Sequence, residues 1–196
     1  MPQVEQLFGL AGAVQSDVAA LAVSIGPGSF TGLRIGLTTA KTLAYAWGKP
    51  IVGAPTLEAL AYGCPCADGW VAALLDAQKG RVYRAIYRWQ AGRLCEVSPV
   101  EIAPATAVVA ELAALPAPVM LVGESVREHR ALIDATNGRV VAAPEAALMP
   151  RAAVVALLGY EKWQQGTAVR PEELNPFYVR RAEAEELWER RLREKA

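Results

Sequence analysis

Residues 24–36, with the sequence SIGPGSFTGLRIG, determine more of the predicted fold than any other stretch of this chain. The apolar run at 21–25 predicts a buried strand that ends at a Gly-Pro-Gly breaker. Ser29 and Thr31 follow, and both carry hydroxyl groups suited to capping, so we predict a helix at 31–47. The segment is therefore a strand, a tight turn and a helix in immediate succession.

Small residues recur at every fourth position of the predicted helix, namely Gly32, Gly36, Ala40, Ala44 and Gly48. Four residues turn a helix through about 400°, so these positions form one slowly winding stripe. A glycine inside a helix costs roughly 0.5–1 kcal/mol relative to alanine, so glycines on one face require a reason. The pattern indicates that another backbone approaches this face, either that of a partner or that of the protein's own sheet.

The rest of the chain alternates between helix-like and strand-like segments. We predict further helices at 3–12, 57–63, 105–114, 125–135, 150–165 and 182–195. We predict further strands at 51–54, 70–76, 81–89, 93–102, 118–123 and 139–143. Such an alternation is typical of an α/β fold in which helices flank a mostly parallel sheet.

The predicted elements divide into two halves that follow one plan, residues 1–66 and residues 67–196. Three strands open the second half, and the first half lacks their counterpart. We expect an equivalent segment of roughly 30–50 residues, at ordinary strand lengths, to precede residue 1. A natural short form is the alternative. Without those strands, the first sheet has an edge that is left unpaired.

Composition narrows the class of protein. The 20 basic and 20 acidic residues cancel, so no global positive field draws nucleic acid to the isolated chain. The apolar stretches are too short for a membrane span, and the first residues do not resemble a secretory signal. Three cysteines and one histidine indicate neither a disulfide framework nor a zinc site. We therefore expect a cytoplasmic protein with no membrane contact, no metal and no cofactor.

Groups that could carry chemistry are few. The glycines at 26–32 are spaced G-x-G-x-x-x-G, which matches neither the P-loop nor the dinucleotide-binding pattern. Gly26, Gly28, Ser29 and Thr31 form either a vestigial anion loop at the start of a helix or a tight turn that binds nothing. Asp76 precedes a glycine-containing turn, where a lone carboxylate usually shapes the turn.

Four motifs make the chain resemble the TsaB (YeaZ) family. They are GPGSFTGLRIG with its continuation AKTLAYAWGKP at 26–50, PTLEALA at 55–61, LDAQKGRVY at 75–83 and LNPFYVRR at 174–181. The resemblance extends over nearly the whole chain, and the first motif is long enough to be specific. It fails at the start, where family members have a strand and a hairpin with an Asp-Thr-Ser-like loop.

The resemblance implies the duplicated fold of the actin-like ATPase (ribonuclease H-like) superfamily, with the first lobe lacking its opening strands. It also implies a non-catalytic subunit of the bacterial machinery that makes threonylcarbamoyladenosine on tRNAs reading ANN codons. The implied partner is the catalytic subunit TsaD, and the ATPase subunit TsaE joins a larger complex. By the same resemblance, tRNA is contacted only through the complex, and the protein forms a homodimer when TsaD is absent.

The first two helices are the part that the resemblance assigns to TsaD binding, and they map to 3–12 and 31–47. The predicted helical interface comprises Val4, Leu7, Phe8, Gly32, Leu33, Gly36, Ala40 and Ala44. Two alternatives remain open, an independent actin-like ATPase or sugar kinase and a non-functional fragment. Actin-like ATPases keep a metal or phosphate residue at the position where Asp76 lies, which is the feature that an ATPase would use.

Overall fold

The structure is a computed structural model that describes residues 2–66 and 68–179. The helix predicted at 182–195 lies outside these residues. The helices are α1 (Pro2–Ala11), α2 (Phe30–Trp47), α3 (Thr56–Tyr62), α4 (Ala105–Ala113), α5 (Ser125–Glu128), α6 (Arg130–Asp134) and α7 (Ala152–Gln164). The strands are β1 (Leu21–Gly26), β2 (Ile51–Pro55), β3 (Gly69–Asp76), β4 (Arg81–Gln90), β5 (Arg93–Pro104), β6 (Val119–Val122) and β7 (Val140–Ala142).

Local signals in the sequence account for the bounds of the long helix α2. The side chain of Ser29 accepts a hydrogen bond from the amide of Gly32 at 3.3 Å, which caps the first turn. Gly48 ends the helix in the left-handed conformation, with φ of 62°. The helix predicted from the residue pattern is therefore present within one residue of its predicted start.

The strands form two separate sheets. In the first half, β1 and β2 pair in parallel as a two-stranded sheet. The second half forms a five-stranded sheet in the order β5-β4-β3-β6-β7. Strands β3, β6 and β7 run parallel, while β3, β4 and β5 form an antiparallel meander. The predicted α/β class is confirmed, and the β1–β2 unit of the first half recurs in the second half as β6–β7.

One helix of each half packs against the other half. Helix α3 belongs to the first half, yet Leu57 and Leu60 are buried in the main core together with strand β3 of the second half. Helix α7 belongs to the second half but packs on the first sheet. There Gly159 lies so close to β1 that a Cβ on it would be 2.3 Å from the Cβ of Ala22. The boundary predicted between residues 66 and 67 therefore separates two units that share their packing.

One predicted helix proved wrong. The segment predicted as a single helix at 125–135 is split into α5 and α6, which meet at His129. This residue has φ of −107° and ψ of 19°, and the amides of Leu132 and Ile133 both donate to its carbonyl. His129 thus closes one short helix and begins the next. Among the helices of the described segments, none is long and apolar enough to cross a membrane.

Candidate partner surface on the first two helices

The loop after β1 is a tight strand-to-helix turn. Gly26 has φ of 117°, and a Cβ on it would lie 2.6 Å from the carbonyl oxygen of Phe177. A side chain at this position would therefore collide with backbone as well as strain its own conformation. The hydroxyl of Ser29 is occupied by the amide of Gly32, while Gly28 and Thr31 are exposed. The structure accounts for these four residues as parts of the turn, and anion binding there stays a prediction.

The stripe of small residues does not lie on one surface. Gly32 and Gly36 are exposed, and a Cβ on Gly36 would meet no atom within 4 Å. Ala40 is half-buried, and Ala44 is 0% exposed against the protein's own first sheet. Positions four apart advance by about 40° around a helix, so the stripe winds from the outer face to the inner face. Ala44 therefore belongs to the core of this chain, and only the first part of the stripe is open.

The outer face of α2 is apolar and small in its first half. Ile35 is 64% exposed, and it lies beside the two open glycines on the helix surface. Leu33 is half-buried, since it lies on the flank that turns toward the sheet. Thr39 and Thr42 continue the exposed face toward the end of the helix. Because Gly32 and Gly36 have no side chain, a second helix could approach this face closely.

Helix α1 has no buried residue. Val4 and Phe8 are half-buried, and the ring of Phe8 contacts that of Trp47 edge to face, with centroids 5.9 Å apart. Leu7 is 66% exposed, and Leu10 is more exposed still. A helix this short gains most of its stability from packing, so its exposed apolar side chains make it a candidate surface for another element to cover.

A segment near the end of the described chain lies across the start of α2. We call residues 174–178 the strap. The amide of Phe177 donates to the carbonyl of Ile25 at 2.7 Å, and the ring of Tyr178 lies 5.4 Å from that of Phe30. The strap comes from the LNPFYVRR motif, so two motifs about 150 positions apart in the chain are in contact. Sequence reasoning identified both motifs but gave no signal that they would meet.

The strap has further contacts with charged side chains of α2. The guanidinium of Arg34 lies 3.9 Å above the ring of Phe30, and its Nε donates to the hydroxyl of Tyr178 at 3.4 Å. One turn beyond the open glycines, the ammonium of Lys41 donates to the carbonyl of Leu174 at 2.9 Å. These contacts were not predicted from the sequence.

Asp76 is used by its own hairpin. Its Oδ1 accepts a hydrogen bond from the amide of Gln78 at 2.7 Å, and Gln78 and Lys79 both have positive φ. This is the turn-forming role that a carboxylate before a tight turn commonly has. It agrees with the simpler of the two interpretations of Asp76.

A cleft of about 730 Å³ lies between α3, α7 and the turn that joins β4 to β5. Across it, the hydroxyl of Tyr62 donates to Glu161 at 2.5 Å, and Lys162 forms an ion pair with Glu58 at 3.0 Å. The hydrogen bond to Glu161 raises the pKa of Tyr62 to about 12. These two pairs join α3 to α7, the two helices that pack across the halves, and each of the four groups has a partner.

The order of strands and helices identifies the class of fold. A second half of the form β-β-β-α-β-α-β-α, joined to a repeat of its β–α–β part, is the actin-like (ribonuclease H-like) arrangement. The sequence profile of TsaD, tRNA N6-adenosine threonylcarbamoyltransferase, matches residues 1–188. A TsaD enzyme of Moorella thermoacetica is 47% identical over 53 residues, which are 27% of this chain and 16% of the enzyme.

Longer matches identify the family. The tRNA threonylcarbamoyladenosine biosynthesis protein TsaB of Bacillus subtilis is 35% identical over 191 residues, which are 96% of this chain and 81% of that protein. The crystal structure of a Pseudomonas aeruginosa protein described as similar to peptidase YeaZ superposes with a TM-score of 0.77 at 30% identity. That superposition covers 91% of this chain and 82% of the other. The chain belongs to the TsaB (YeaZ) family, as its motifs predicted.

Proposed function

We propose that this protein is a non-catalytic subunit in the biosynthesis of threonylcarbamoyladenosine on tRNA, and that it binds TsaD. Its family and the name of its Bacillus subtilis relative support the pathway. The profile match to TsaD supports a partner of the same fold, because related folds can place equivalent helices side by side. In this proposal TsaE joins the resulting complex, and tRNA is reached only through it.

The open first half of α2 is the observation that carries the proposal. Gly32 and Gly36 leave room for a second helix, and the exposed Leu7 and Ile35 supply apolar contact. Small residues at a crossing point let two helices pack more closely, whereas the fold of this chain does not require Gly36 to be small. The proposed surface therefore comprises Val4, Leu7, Phe8, Gly32, Leu33, Gly36 and Ala40, without the buried Ala44. In the absence of TsaD, the same surface would form the homodimer.

The test compares Gly36→Leu with the wild-type protein. Overpacking a close contact costs about 1–3 kcal/mol, which corresponds to a loss of TsaD affinity of roughly tenfold or more. The variant should unfold at the wild-type temperature or above, because its side chain extends into open space. Isothermal titration with the organism's TsaD measures the affinity, and thermal unfolding of the isolated variant measures the stability.

Ala156→Leu is the matched control, since it adds a leucine to an exposed position of α7 away from this surface. It should leave TsaD affinity unchanged. Two separate peaks on size exclusion of wild-type protein with TsaD at micromolar concentration would contradict the proposal. Transferase activity of the isolated chain, or tight magnesium-dependent ATP binding by it, would instead favour an independent enzyme.

A further inference from the structure

The strap comes from the opposite end of the chain and contacts helix α2, which carries part of the proposed partner surface. Its contacts fall on the end of β1 and on α2 between Phe30 and Lys41. They combine one backbone hydrogen bond, one aromatic pair, one bond to Arg34 and one bond from Lys41 to a strap carbonyl. The strap thus contacts the part of α2 that carries Gly32 and Gly36, but on the other side of the helix, since Phe30, Arg34 and Lys41 lie about 120–180° around the helix axis from these glycines.

The strap contacts are only partly buried. Phe30 is 37% exposed, and Phe177 and Tyr178 are each 41% exposed, so none of the three belongs to the core. Contacts of this kind add little to global stability, but they restrict the local opening of the segment that they cover. The side chain of Ser29 also supports the first turn of α2, and that hydrogen bond is long at 3.3 Å.

The same contacts flank the segment of α2 that carries the open glycines. Gly26 takes a backbone conformation that permits Phe177 to lie directly on it, so the end of β1, the turn and the strap are held together. Lys41 ties the middle of α2 to the other end of the strap. Along the chain, the open glycines lie between these two points of contact, at Gly26 and at Lys41. Contacts at both ends of a short segment restrict its orientation.

We infer that the strap is a positioning element, which holds the first two turns of α2 in the orientation that presents the Gly32 and Gly36 face to a partner. This inference rests on the proposed function, in which that face binds TsaD. The strap contributes to affinity by keeping the binding helix ordered before the encounter, because ordering a segment on binding lowers affinity. Loss of the strap's aromatic contact therefore weakens the complex without unfolding the protein.

Two readouts test the inference on the full chain, hydrogen exchange of the amides at 30–36 and titration with TsaD. Tyr178→Ser removes the ring from Phe30, and we expect exchange at 30–36 and the Kd for TsaD each to rise by about tenfold. Tyr178→Phe keeps the ring and loses only the long bond to Arg34, so it should restore both values to within about twofold of wild type. Exchange in β6 should not change in either variant.

Tyr160→Ser is the control, because Tyr160 forms a similar exposed aromatic pair with Trp163, with ring centroids 6.0 Å apart, on α7. It should alter neither readout. Lys41→Met releases the other end of the strap and should reproduce the effect of Tyr178→Ser, so the test does not depend on one variant folding.

Unchanged exchange at 30–36 in Tyr178→Ser and Lys41→Met would overturn the inference. Faster exchange with unchanged TsaD affinity would overturn it as well, since the strap would then have no part in binding. If wild-type protein does not bind TsaD, the proposed function fails, and the exchange data alone decide whether the strap holds α2. Equal effects of Tyr178→Phe and Tyr178→Ser would show that the ring contact is not what holds the helix.

Discussion

The β1–β2 pair and the β6–β7 pair have the same local design but different surroundings. Both pairs are parallel, and the leading strand of each runs into a glycine with positive φ, 117° at Gly26 and 106° at Gly123. Strand β6 is buried at three of its four positions, whereas β1 is half-buried from Leu21 to Ile25. Equivalent apolar strands therefore reach different depths of burial within one chain.

Their neighbours explain the difference. Strand β6 lies between β3 and β7, so both of its edges are paired. In the described segments, β1 pairs with β2 alone, and its second edge meets no other strand. The two glycines differ in the same way, because Gly123 lies on the backbone of Leu74 in a neighbouring strand, whereas Gly26 lies on that of Phe177 in the strap. Similar local sequence thus has a β-strand as its neighbour in one half and an irregular segment in the other.

The largest effect is expected at Gly123. A Cβ there would lie 1.9 Å from the carbonyl oxygen of Leu74, inside a buried strand that cannot move aside. Gly123→Ala should lower the free energy of unfolding by more than about 4 kcal/mol. Urea unfolding followed by tryptophan fluorescence measures this. Gly138→Ala is the matched control, since Gly138 also has positive φ but faces open space, and an equal loss there would show that backbone strain alone is responsible.

The next largest effect is expected when the same valine-to-alanine substitution is made in β6 and in β1, and the two losses of unfolding free energy are compared. Val122→Ala removes buried methyl groups from β6 and should cost about 2–3 kcal/mol of unfolding free energy, including the cavity. Val23→Ala in the half-buried β1 should cost about 1 kcal/mol or less, since its side chain already contacts water. The same urea titration compares them. Equal losses would mean that β1 is as deeply packed in solution as β6.

Gly26→Ala should have a smaller effect than Gly123→Ala. Backbone strain at positive φ costs about 1–2 kcal/mol, and the strap can lift away to relieve the contact with Phe177. Faster hydrogen exchange of the Phe177 amide should accompany the loss, because its bond to Ile25 opens. A loss as large as that of Gly123→Ala, with Phe177 still protected, would show that the strap is as rigid as β3.

The smallest effect has the opposite sign. Gly36→Ala should raise the free energy of unfolding by about 0.5–1 kcal/mol, because alanine restricts the unfolded chain and meets nothing in the folded one. Thermal unfolding of the isolated variant measures the shift. Destabilisation would mean that this face of α2 is packed within the protein and is not available to a partner. Stabilisation would show that folding gains nothing from a glycine at this position.

Local signals explain how much of the fold was predictable. The cap at Ser29 and the left-handed Gly48 bound α2, and the turn at 78–80 separates β3 from β4, each acting within a few residues. The break at His129 was not predictable, because the apolar pattern on either side suits one continuous helix. The burial of Arg84 was not predictable either. Its guanidinium forms ion pairs with Glu101 of β5 at 2.8 Å and with Glu111 of α4 at 3.3 Å.

The sequence by itself determined the order of the elements, the α/β class and, through its motifs, the family. The tertiary structure alone decided which part of the small-residue stripe is open, that α3 and α7 exchange halves, and that the strap lies on the start of α2. The physical reason is one of range. Backbone preferences and caps act over a few residues, whereas the outward face of a helix depends on contacts with residues more than 100 positions away, such as Leu174 with Lys41.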